Sequence, residues 1–200
     1  MKFVIRALGC AALLFAFVAQ AAEVAPDALV KSTVSEVLSV IKQNKDKRTL
    51  HDLAEKKVLP HFDFVAMTRL AVGKSWREAS PEQQQKLENA FRGLLVSTYT
   101  TALTETATND AKVDVKAAAV KADQNDVTVK TVATQSGRKP VAIDYRMSRT
   151  AGGWKVYDVV VENLSLVNNY RSSFNSEISR SGIDGLIKTL ETKNKQLAEG

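Results

Sequence analysis

Apolar positions in the first half of the chain recur at spacings of three and four, the mark of amphipathic helices. From Asp27 the stripe reads Val30, Val34, Val37, Leu38 and Ile41, and Asp27 after Pro26 is the expected N-cap. Thr49-Leu50-His51-Asp52 is a capping-box-like start for a second helix, with Leu53, Ala54 and Val58 on one face and Pro60 closing it. A third helix is predicted from Asp63 to Gly73. There Asp63 caps, Phe64, Met67, Leu70 and Ala71 form the stripe, and Gly73 sits where a left-handed terminal residue is favoured. The fourth has the best-defined start, because Ser80-Pro81-Glu82-Gln83 combines a serine cap, proline at the first helical position and glutamine at the third. Its apolar face reads Leu87, Phe91, Leu94, Leu95, Thr98 and Ala102.

After Asp110 the period falls to two. Val113, Val115, Ala117 and Ala119 alternate with Asp114, Lys116 and Ala118, and Val127, Val129 and Thr131 alternate with Thr128 and Lys130, as half-buried strands do. A third strand carries Val141, Ile143, Tyr145 and Met147 on one face, and a fourth runs from Trp154 to Val161. Gly137 and Gly152-Gly153 supply turns short enough to join only antiparallel neighbours, so the strands read as a meander. Helical spacing returns with Leu166, Tyr170, Phe174 and Ile178. Gly182 breaks it, and Ile183, Leu186, Ile187 and Leu190 begin a last helix. Helices, then strands, then helices, with no internal repeat and no long linker, predict one α+β domain over residues 22–200. Its four-stranded antiparallel sheet should carry helices on one apolar face and leave the other polar through Lys112, Asp114, Lys116, Lys130, Asp144 and Arg146.

Residues 1–21 read differently. Lys2 and Arg6 precede an apolar run from Ala7 to Val18, and Ala19-Gln20-Ala21 is a small-x-small cleavage site, so a cleavable secretory signal is expected, with a mature chain from Ala22. About a dozen apolar residues are too few for a span that needs roughly 20. The lone cysteine, Cys10, lies within this leader, which leaves the exported chain to hold itself together by its core alone. Removing Lys2 and Arg6 leaves 26 basic against 22 acidic residues, a net charge of +4. That balance favours anionic partners, of which export makes nucleic acid the least expected, and a plain solvated surface is the simpler reading.

Few residues suggest covalent chemistry. Gly73-Lys74-Ser75 lacks the earlier glycine of a phosphate loop, since Thr68 stands there. His51 and His61 are the only histidines, and His61-Phe62-Asp63 offers too few ligands for a metal. No serine lies in a nucleophile elbow. Asp158 and Glu162 share one face near a strand end and are the best acid/base candidates, or else two strand-end charges. Asn163-Leu164-Ser165 fits a glycosylation triplet but serves better as the cap of the fifth helix. Tyr170 and Phe174, four apart on one helical face, suit either a packed core or the lining of an apolar pocket.

Two segments resemble the MlaC, or toluene-tolerance, family of periplasmic phospholipid-binding proteins. One runs from Phe62-Asp63-Phe64 through Met67-Thr68-Arg69, Gly73-Lys74-x-Trp76-Arg77 and Ala79-Ser80-Pro81 to Phe91 and Tyr99. The other runs from Trp154-Lys155-Val156-Tyr157-Asp158-Val159 through Ser165-Leu166-Val167, Asn169-Tyr170-Arg171 and Phe174 to Gly182. No single motif is unique to the family; the ordered combination carries the resemblance. Asn163 stands where similar proteins often have glycine, and asparagine also tolerates a left-handed backbone.

The resemblance implies an NTF2-like α+β fold enclosing an apolar pocket and no enzyme activity or cofactor. It implies a monomeric periplasmic shuttle that exchanges phospholipid with an inner-membrane ABC-type complex and an outer-membrane lipoprotein complex, maintaining outer-membrane lipid asymmetry. Each exposed acyl CH2 costs about 0.8 kcal/mol, so two chains of about 16 carbons cost on the order of 25 kcal/mol in water. The expected sheath combines the sheet face of Val141, Ile143, Tyr145, Met147 and Val156 with helical faces bearing Met67, Leu70, Leu94, Tyr99, Leu166, Tyr170 and Phe174. The headgroup is expected at the mouth, so many headgroups should be accepted. Two other readings stand beside this one. An exported NTF2-like enzyme would need Asp158 inside the pocket, and a protein-binding adaptor or chaperone would have a filled core.

Overall fold

The computed structural model describes residues 23–43, 46–106 and 110–199, so the leader and its cleavage site lie outside the described residues. Helix α1 spans Pro26–Gln43 and α2 spans Lys47–Leu53. A π-helical turn over Ala54–Val58 and a 3-10 turn over Leu59–His61 carry the chain to α3, Phe64–Val72. After a 3-10 segment over Gly73–Arg77 come α4 (Pro81–Thr106), β1 (Lys112–Val115), β2 (Asp126–Thr134), β3 (Val141–Thr150), β4 (Gly153–Val161), β5 (Leu164–Ser165) and α5 (Leu166–Glu199).

The helix starts show where local chemistry is decisive. At α4 the Gln83 N–H donates to Ser80 Oγ at 3.2 Å and Ser80 N–H donates to Gln83 Oε1 at 3.0 Å, a complete capping box. Asp63 caps α3 by accepting the Ala66 N–H at 2.8 Å. Gly73 ends that helix at φ 70°, a left-handed backbone that disfavours any residue with a Cβ. Two expected caps move. Helix α2 starts three residues early, because Asp46 accepts both the Thr49 N–H and its hydroxyl. In α1, Pro26 is itself helical, and Asp27 instead accepts the Ala118 N–H at 3.2 Å, tethering α1 to the chain beyond β1.

The sheet is an antiparallel meander in the order β1-β2-β3-β4-β5, one strand more than expected. The extra strand is two residues long and turns back on β4 through Glu162 and Asn163, at φ 49° and 67°. That is the mirror-image hairpin turn whose twist matches the flanking strands. Register places Val127 opposite Met147, Val129 opposite Tyr145 and Thr131 opposite Ile143. Beyond a bulge between Arg146 and Met147, Val156, Val159 and Val161 continue the same face. This face is apolar, and the opposite one carries Asp114, Lys130, Asp144 and Arg146.

Two apolar clusters result. The helical one packs α3, α4 and α5 around Phe91, which meets Tyr170 and Phe174 edge-on at centroid distances of 5.2 and 5.1 Å. The other lies between α1 and the sheet, around Val30, Val129, Met147 and Val156. Phe62 packs against both, and the Asp63 N–H donates to the Val156 carbonyl at 2.8 Å, which clamps the turn before α3 onto β4. The helical run α5 is interrupted at Gly182, where φ is 71° and ψ −177°, so two helices meet there at the expected break.

Candidate ligand-binding cavity

The sheet and its helices do not close completely on one another. A cavity of about 520 Å³ separates the inner sheet face from α1, α2 and the second half of α4. The sheet wall is built by alternate residues of β3, namely Val141, Ile143, Tyr145 and Met147, together with Val156, Val159 and Val161 of β4. Opposite stand Leu29, Val30, Val34, Val37, Leu38 and Ile41, the complete apolar stripe of α1. Leu50 and Leu53 of α2, Phe62, Phe64 and Met67 close one side, and Leu95, Val96 and Tyr99 of α4 close the other.

Exposure locates the opening. Among lining residues only Tyr99, Lys112, Thr134, Arg138 and Lys139 are exposed, and they gather at the end of α4, the start of β1 and the β2–β3 hairpin. Met67, Met147 and Val156 are almost fully buried at the far end. From Val141 to Met147 the wall spans six residue steps, about 20 Å at roughly 3.4 Å per step. One leaflet of a bilayer has a hydrocarbon depth of about 15 Å, half of a 30 Å core. The slot therefore has the length to take an acyl chain end-on.

Below the mouth the walls carry no charge at neutral pH. Burial pushes the Tyr145 phenol up to about 12. Tyr99 is likewise raised to about 12 by burial and secondarily by Tyr170. His61 is held below its ordinary value by burial and by neighbouring Lys155, so it stays neutral. No group of three or more His, Cys, Asp or Glu among the described residues is arranged to hold a metal. Gly73-Lys74-Ser75 opens a 3-10 turn after a helix, without the strand a phosphate loop requires.

Of the residues expected to contact an acyl chain, Met67, Tyr99, Val141, Ile143, Tyr145, Met147, Val156 and Leu166 line the cavity. Leu94, Tyr170 and Phe174 do not, because their helical faces turn toward Phe91 and the helical core. Leu70 is 40% exposed on the outer side of α3. The α1 stripe and Leu50 and Leu53 are lining residues that sequence reasoning did not assign to the pocket. Their amphipathic spacing was visible, but periodicity says that a face is covered without saying by what.

Asp158 is not in the cavity. The bulge turns it to the other face of β4, where it is 3% exposed and accepts the Ser165 hydroxyl at 2.7 Å and the Val167 N–H at 3.2 Å. Arg146 donates to it at 3.2 Å. It anchors the start of α5, where Ser165 Oγ also accepts the Asn168 N–H as the expected cap. Glu162 accepts the Ala142 N–H rather than pairing with Asp158.

An α+β scaffold with a half-open apolar slot, uncharged walls and a polar mouth defines a binding protein for elongated apolar ligands. The model of the MlaC protein family matches residues 31–192, and the chain belongs to that family. It is 24% identical over 183 residues to the intermembrane phospholipid transport system binding protein MlaC of Haemophilus influenzae, covering 88% of this chain and 85% of that one. It is 28% identical over 186 residues to the toluene tolerance protein ttg2D of Pseudomonas putida, covering 87% and 85% respectively. Among solved structures, a phospholipid-binding protein from Ralstonia solanacearum in complex with a phospholipid superposes with a TM-score of 0.77 at 36% identity. That match covers 86% of this chain and 98% of the other.

Proposed function

We propose that this chain is a soluble periplasmic phospholipid carrier. It sheathes acyl chains in the slot between α1 and the sheet and leaves the headgroup at the mouth. The observation that carries the reading is the slot itself, apolar throughout its depth, about 20 Å long and open at one end. Burial of acyl carbon there offsets the cost of carrying lipid through water, at about 0.8 kcal/mol per CH2. The resemblance to phospholipid-binding and phospholipid-transport proteins supports the same ligand class.

In this reading residues 1–21 direct export and are removed, and residues 22–200 act as a monomeric carrier without a cofactor. Lipid passes between an inner-membrane ABC-type complex and an outer-membrane lipoprotein complex, which supply directionality. The protein performs no bond chemistry. The polar groups near the slot favour this over an enzyme, because Asp158, the one well-buried carboxylate among the described residues, is engaged by three donors outside the cavity.

Mass spectrometry of organic extracts from the purified mature protein tests the proposal. Co-purifying phospholipid in near-stoichiometric amount is the expected result. Its absence from protein that also takes up none from vesicles would sink the reading.

A further inference from the structure

The outer side of α3 is uncovered. Its inner positions Phe64, Met67 and Ala71 are buried, while Val65 and Leu70 are 46% and 40% exposed. Single exposed aliphatics need no explanation, but these two flank a group of exposed cations. Arg69 stands between them along the helix, Lys74 follows the helix end, and Arg171 reaches the same place from α5. Gly73 makes room for the meeting. A Cβ added there would lie 3.4 Å from the Arg171 guanidinium, so the bare glycine lets that side chain lie against the end of α3.

Among the described residues, no ion pair or hydrogen bond engages the side chains of Arg69, Lys74 or Arg171. Nearby acids do not neutralise them. Asp63 caps α3, Glu177 accepts from Arg180 and Ser181, and Glu78 is offset in charge by its neighbour Arg77. On α5 the exposed residues around Arg171 are Asn168, Ser172 and Asn175, whose short side chains lose less rotamer freedom than lysine or glutamate when covered.

We propose that the outer side of α3, together with Arg171, is a docking surface for a protein partner that presents carboxylates around a small apolar contact. Charge complementarity selects this occupant, because the guanidinium forks of Arg69 and Arg171 match carboxylates in a planar, bidentate way. A bilayer-bound face would need a broader apolar stripe than one valine and one leucine on a helix of nine residues. The surface also backs onto the closed end of the slot, which Phe64 and Met67 of the same helix line. A carrier held through α3 keeps its mouth free for lipid to pass.

The test rests on the carrier reading for its probes. The inner-membrane ABC-type complex and the outer-membrane lipoprotein complex are purified in detergent and immobilised, and mature protein is titrated over each. At least one complex should bind the wild type, more weakly as salt rises from about 0.05 to 0.5 M. The triple variant Arg69→Gln, Lys74→Gln, Arg171→Gln should raise Kd on the order of 10-fold, for three exposed charge pairs. Leu70→Ser should weaken binding by a factor that persists at high salt, and Lys188→Gln, in the last part of α5, should bind as the wild type does. If thermal melting shows the triple variant unfolded, Lys74→Gln alone should still raise Kd about 2-fold. Every folded variant should keep the wild-type lipid content, which separates docking from the slot. Equal affinity of wild type and variants for both complexes, or no binding by the wild type, would overturn the docking surface. Weakened sedimentation of the variants with phosphatidylglycerol vesicles, at unchanged affinity for the complexes, would overturn it in favour of a membrane contact. Wild-type protein that docks through this surface yet yields no phospholipid would overturn the carrier reading and leave the surface standing.

Discussion

Asp158 is the residue whose meaning changes most between pattern and structure. Along the strand it shares a face with Glu162, yet the bulge beside Met147 shifts the register and turns it away from the slot. With the Ser165 hydroxyl, the Val167 N–H and Arg146 all donating to it, the carboxylate joins β3, β4 and α5. Asp158→Asn should lower stability by about 2–4 kcal/mol, because an amide turns one donor toward donors and leaves Arg146 unpaired. Urea melts check this. The protein that stays folded should retain its lipid, and loss of lipid at full stability would return Asp158 to the site.

His61 makes a second prediction at this scale. Its folded-state value is depressed by burial and by Lys155, so the unfolded chain takes up the proton first. Its contribution is fully present above the ordinary histidine value and is lost as pH falls through that value toward the folded one. Thermal melts from about pH 7.5 to 5 should therefore drop more steeply for wild type than for His61→Gln. Equal slopes would show that carboxylates alone carry the acid sensitivity.

Among the elements, those set by short-range chemistry were legible in the sequence. The capping box at Ser80 is complete within four residues of chain, and Ser80→Ala should cost about 1 kcal/mol in a denaturant titration. An unchanged midpoint would mean that packing of α4 on α5 fixes the helix start without the cap. The strand period was read correctly through β2, β3 and β4 because their inner faces are buried against helices. The misses have equally local causes. Asp46, upstream of the apolar stripe, outcompetes the start at Thr49 by accepting two hydrogen bonds from it. The two residues of β5 are too few for any period to register, and the strand exists because Glu162 and Asn163 adopt the left-handed turn. Gly182, by contrast, was marked as a break and is one, since its φ of 71° and ψ of −177° interrupt the helical run Leu166–Glu199.

For the whole molecule, the slot is a place where the core is left unfilled. Ile143→Trp would extend a ring into this space rather than into packed atoms, so stability should change by less than about 1 kcal/mol. Retained phospholipid, measured by phosphorus assay on purified protein, should fall several-fold. A variant that stays folded and keeps its full lipid content would show that the lipid lies elsewhere.

Periodicity, capping residues and turn glycines by themselves determined the helix-sheet-helix order, the apolar sheet face and the polar one. Each depends on contacts within a few residues of chain. The resemblance carried by ordered motifs pointed to the family, and the matches along the chain bear it out. Only the tertiary structure decided which apolar faces meet each other and which face a void. Tyr170 and Phe174 fill a core while the α1 stripe lines the slot, although both are amphipathic helical faces of the same kind. The physical reason is that burial rewards any apolar neighbour almost equally, so the chain's local pattern says which side turns inward, and the crossing of α1 over the sheet determines where packing stops.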